Sequence, residues 1–98
     1  MAQTRERDIE AYLRDRVKAM GGRALKWVSP GNAGVPDRIV LMPGGRVYFV
    51  ELKAPGKKPT PLQLAQHAKL AALGFRVAVL DSKARVDDFV QAAGRGAW

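Results

Sequence analysis

Two carboxylates stand almost alone in a basic stretch of chain, and a lysine stands beside one of them. From Arg16 to Leu80 the only acids are Asp37 and Glu51, set among eleven Lys and Arg residues. A surface that merely gripped phosphate would gain nothing from acids held there. Two carboxylates and one lysine are, however, what a divalent metal and an attacking water require. The first acid follows a proline, Pro36-Asp37. The second opens the tripeptide Glu51-Leu52-Lys53.

These residues need a frame to bring them together. From Thr4 to Met20 the apolar residues Ile9, Leu13, Val17 and Met20 recur at helical spacing, and Gly21-Gly22 supplies a stop. Ala24–Val28 reads as a short strand. A loop dense in turn formers, residues 29–36, delivers the chain to Asp37. Arg38–Met42 and Arg46–Lys53 are β-rich runs separated by Pro43-Gly44-Gly45, which predicts a hairpin. Thr60-Pro61-Leu62-Gln63 opens a second helix, with Thr60 as N-cap and Gln63 closing a capping box; it runs to Leu73. Phe75–Leu80 reads as a strand buried near the sheet centre. Val86–Ala93 reads as a terminal helix, with a frayed, flexible tail over 94–98. The order is α-β-β-β-α-β-α in one domain spanning residues 1–98.

In a strand alternate residues share a face, so Glu51 and Lys53 point the same way. The hairpin would set Asp37 beside Glu51. Two carboxylates and the backbone carbonyl of Leu52 could then hold Mg²⁺, which prefers hard oxygen ligands, with Mn²⁺ able to substitute. Lys53 would lie near the attacking water and the phosphate, orienting the first or offsetting charge on the second.

The spacing of these residues resembles a known pattern. Pro36-Asp37, thirteen intervening residues and Glu51-Leu52-Lys53 look like the signature of the PD-(D/E)xK nuclease superfamily. The wider string Gly34-Val35-Pro36-Asp37-Arg38, Phe49-Val50-Glu51-Leu52-Lys53 and Gln63 is similar to the VRR-NUC family within it. The resemblance runs from Glu6 to about Phe89. It implies an α/β fold of the restriction-endonuclease-like type, a mixed β-sheet flanked by helices. It also implies a Mg²⁺-dependent DNA endonuclease. Gln63 matches a family glutamine facing the active centre. A family glutamate on the first helix matches Glu6, with Glu10 one turn along as its competitor. Small relatives of this kind resemble archaeal Holliday junction resolvases, which act as two-fold dimers. The resemblance thus implies a homodimer working on four-way junctions. Flap or nicking activity, or a non-catalytic DNA-binding module, are the other readings of the same surface.

Composition sets the outer bounds. With 98 residues the chain suits one core, and its net charge of +8 favours a polyanionic partner. Cysteine is absent, which excludes a disulfide framework and thiolate metal sites. No apolar run approaches a membrane span and the N-terminus lacks a signal core, so the expected location is the cytoplasm of a bacterial or phage-infected cell. His67, the sole histidine, has no His or Cys companion and reads as a surface or groove residue. Trp27 reads as core. Lys57 and Lys58 read equally as a DNA-backbone grip or a solvated loop. Val77, Val79 and the exposed helix faces are the candidate surfaces for dimerisation.

Overall fold

The computed structural model describes residues 4–98. Helix α1 (Glu6–Ala19) buries Ile9, Leu13 and Val17 completely, the stripe expected from their spacing. Its end is closed by the Gly22 N–H, which donates to the Val17 carbonyl at 2.9 Å. Strand β1 (Arg23–Lys26) then runs antiparallel to β2 (Arg38–Met42), and β2 antiparallel to β3 (Arg46–Leu52). The hairpin pairs Met42 with Arg46 across three residues, with Gly44 and Gly45 both at positive φ. Helix α2 (Pro61–Ala72) carries the chain over to β4 (Val77–Leu80), which lies parallel to β3, and α3 (Lys83–Gly94) completes the fold. The sheet order is β1-β2-β3-β4 and the element order α-β-β-β-α-β-α is the expected one.

The core lies on one face of this sheet. Tyr48, Val50 and Leu52 of β3, with Val40 and Met42 of β2 and Ala78 and Leu80 of β4, meet α1 and α3 there. From α3 the core takes Val86, Phe89, Val90 and Ala93. The intervening β3 residues, Phe49 and Glu51, face the other side, where α2 lies. No residue of α2 is fully buried.

Four expectations need correction. Strand β4 stands at the sheet edge, because β2 occupies the other flank of β3 and β4 has one partner only. Its burial comes from a single face, so Ala78 and Leu80 are buried while Val77 and Val79 are half-exposed. Phe75 precedes the strand and is exposed, its ring edge-on to Phe49 at 5.4 Å. Trp27 is half-buried on the α2 side, tilted against Phe49 at 5.3 Å, and has no place in the core. Helix α3 begins earlier than the apolar periodicity implied, since Ser82 caps it by accepting the Arg85 N–H at 3.1 Å. Finally Trp98 packs edge-on against Phe89 (5.3 Å) and Tyr48 (6.1 Å), with the Arg76 guanidinium 4.0 Å above its ring. The last residue is therefore a lid on the core. Among the described residues no helix is long and apolar enough to cross a membrane.

Candidate active site

Asp37 sits where the turn-rich loop becomes β2. Pro36 before it is buried, and the Asp37 carbonyl accepts the Trp27 N–H at 2.9 Å, extending the β1–β2 ladder by one step. The β2–β3 register pairs Arg38 with Val50, so the next step sets Asp37 opposite Glu51. The Asp37 Oδ2 accepts the Leu52 N–H at 2.8 Å, which fixes the carboxylate across the hairpin. Glu51 itself is 1% exposed. Burial, followed by Asp37 as a hydrogen-bonding and like-charged neighbour, pushes its carboxyl up to about 8, against the pull of Lys53. Lys53 continues along the strand, half-exposed on the Glu51 face, its backbone N–H donating to the Leu80 carbonyl at 3.1 Å.

Helix α2 closes over this pair. The Gln63 amide serves two partners at once. Its Oε1 accepts the Thr60 N–H at 2.9 Å, completing the capping box, while its Nε2 donates to Glu51 Oε2 at 3.1 Å. The two expected roles of Gln63 thus coexist because they use opposite ends of the amide. One turn further on, His67 Nε2 lies 3.3 Å from Glu51 Oε1. This replaces the sequence expectation of a surface or groove contact. Its signal was the four-residue spacing from Gln63, which puts both side chains on one helix face. Burial lowers the basicity of the imidazole.

The helix-borne glutamates part company. Glu10 Oε1 receives the Arg38 Nη2 at 3.0 Å, and Arg38 Nη1 also reaches the Ala24 carbonyl at 3.3 Å, so Glu10 ties α1 to β1 and β2. Glu6 is exposed at the start of α1. Partial desolvation and then the Asp37 charge raise its pKa, with Lys53 opposing, which puts it in the electrostatic neighbourhood of the centre. Leu52 supplies backbone only, for its side chain belongs to the core. Lys57 and Lys58 are exposed and, with Pro59, Leu64 and Val79, line a separate groove. Hollows along β1, beside α1 and along β4 are likewise lined by other residues.

The glycine-rich lead-in has a steric reason. Gly34 has φ +88°, and a Cβ there would lie 3.0 Å from both the Leu62 Cγ and the Leu62 carbonyl oxygen. Only a residue without a side chain lets the loop approach the first turn of α2 this closely. Gly34→Ala is expected to lower stability by about 1–3 kcal/mol and to displace α2 from Glu51. A thermal melt together with a cleavage assay checks this; an unchanged melting temperature would contradict it.

A profile of the VRR-NUC domain matches residues 4–84. The chain belongs to the VRR-NUC family. A protein of Acyrthosiphon pisum secondary endosymbiont phage 1, named "Putative nuclease p44", is 57% identical over 83 residues, covering 85% of this chain and 89% of the relative. A solved structure titled "VRR_NUC domain" superposes with a TM-score of 0.83 at 35% identity, covering 90% of this chain and 96% of that one. In this VRR-NUC domain the mixed sheet and its helices follow the family's architecture.

Proposed function

We propose that this VRR-NUC domain, a nuclease by family, hydrolyses phosphodiester bonds of DNA with Mg²⁺, acting as a homodimer on four-way junctions. The observation that carries this reading is the meeting of Asp37, Glu51 and Lys53 at the end of one hairpin, under Gln63. Among the described residues no three His, Asp or Glu side chains are gathered as a full ligand set. Two carboxylates plus the Leu52 carbonyl, completed by waters, are a donor set that suits Mg²⁺, and Mn²⁺ in its place. The charge deficit fits as well: a buried acid facing a second acid is relieved by a cation between them. When bound there, a divalent ion supplies Lewis-acid polarisation of phosphate and a more acidic water.

The chain's own groups do the rest. Asp37, held by the Leu52 N–H, presents a fixed carboxylate without reorganisation. Lys53 shares the Glu51 face and brings a positive charge to the scissile phosphate and the incoming water. Glu6, exposed beside them, can accept a hydrogen bond from that water. Gln63 orients Glu51.

The substrate follows from economy of surface. A domain of 98 residues that spends one end on chemistry has little left for reading bases, so phosphate positions and DNA shape are the recognisable features. One domain holds one such centre, whereas a symmetric junction needs two cuts, which a two-fold dimer supplies. The open edge of β4, with Val77 and Val79 half-exposed, and the exposed Leu62 and Leu64 of α2 with Leu73 just past its end are the apolar surfaces available to a second copy.

Purified protein offered a four-way junction, a flap and a linear duplex, with and without Mg²⁺, tests this. Paired nicks at symmetry-related positions of the junction are expected, linear duplex being cut far more slowly. Sedimentation should find a dimer at micromolar concentration. Equal cutting of all three substrates by a monomer would remove the junction reading and leave the metal nuclease.

A further inference from the structure

We propose that His67 is a positioning residue that, with Gln63, clamps the Glu51 carboxylate in the orientation needed to bind a divalent ion. The inference rests on the metal-nuclease reading above and deepens it. Glu51 is 1% exposed, so water cannot satisfy its oxygens from every side. Each oxygen instead has its own partner from α2: Gln63 Nε2 on Oε2 at 3.1 Å, His67 Nε2 by Oε1 at 3.3 Å. A carboxylate held at one oxygen alone can still swing about its last torsion; one held at both cannot. The hydrogen bonds that orient a ligating carboxylate commonly matter about 10- to 100-fold in metal affinity.

The imidazole is well placed for this work. Its side chain is 13% exposed and its Nε2 lies 3.3 Å from Glu51 Oε1. No second histidine exists to build a metal site with it. The competing explanation is that His67 only fastens α2 to the sheet, a helix that buries no residue of its own. A control exists for that. Gln66 also fastens α2, but its Nε2 donates to the Ala33 carbonyl at 3.1 Å, on the loop rather than on Glu51.

The test is calorimetric titration of Mn²⁺ into the DNA-free protein, with thermal melts alongside. His67→Ala is expected to weaken Mn²⁺ binding about 10- to 100-fold, and His67→Gln, which keeps an N–H donor, to recover most of it. Gln66→Ala should lower the melting temperature while holding Mn²⁺ affinity within about twofold. The inference is overturned if His67→Ala binds Mn²⁺ as wild type does, or if Gln66→Ala loses as much affinity. Failure of His67→Gln to recover affinity overturns it too, since the imidazole would then be a ligand itself. A wild-type protein that binds Mn²⁺ but cuts no DNA defeats the nuclease reading and leaves this comparison standing.

Discussion

Glu51→Gln is expected to abolish cleavage and, in the absence of metal, to make the protein more stable. The same burial and like-charge opposition that would draw a cation to Glu51 destabilise the metal-free protein. Its folded carboxyl sits near 8 against an ordinary value of 4.5, so the unfolded chain ionises first as pH rises. Wild-type stability contributed by this group is intact below pH 4.5 and is lost progressively up to about pH 8. A glutamine does not titrate. The variant should therefore match wild type in acid and exceed it by at least ~1 kcal/mol at pH 8, provided no divalent ion is present. Cleavage should fall by roughly 10³-fold or more for Glu51→Gln and for Asp37→Asn, because each removes a charge from the proposed metal site. Asparagine at 37 still offers an oxygen to the Leu52 N–H, so the hairpin should survive. Cutting at the wild-type rate by either variant would reject the assignment, and a Glu51→Gln protein less stable at pH 8 would reject the electrostatic account.

Lys53→Ala should separate rate from binding. Its charge is one among seventeen Lys and Arg residues, so DNA affinity should change little. It lies on the Glu51 face, and losing a positioned cation commonly costs about 10²–10³-fold in the chemical step. Single-turnover cleavage and a filter-binding isotherm on the same preparation distinguish the two. Parallel losses in rate and affinity would reduce Lys53 to an ordinary phosphate contact.

Much of this arrangement is legible in the chain because it is local. The alternation along Arg46–Leu52, the Pro43-Gly44-Gly45 turn and the capping residues at Thr60 and Gln63 act over a few positions each, and the structure follows them. What escaped the sequence depends on partners far along the chain. An apolar run such as Val77–Leu80 reads alike at the centre of a sheet or at its edge, and only the order of the other strands decides. Trp27 and Trp98 look alike as isolated aromatics, yet one leans on Phe49 outside the core and the other closes over Phe89. Glu6 and Glu10 share a helix face, and Arg38, from a different element, separates their roles. A lone His67 without His or Cys companions carries no ligand signature in the sequence, and its contact is with the carboxylate itself.

The core draws on α1, α3 and three strands, and takes nothing from α2. The molecule thus keeps its core on one face of the sheet and, Glu6 of α1 apart, its working parts on the other. Mutational tolerance should divide along the same plane: substitutions at Leu13 or Phe89 threaten the whole protein, whereas most exposed positions of α2 and of the loop before it, Leu62 apart, should change without unfolding it. A library confined to residues 54–73, sparing Thr60, Leu62, Gln63, Gln66 and His67, could be selected for new substrates with little need to be screened for folding first.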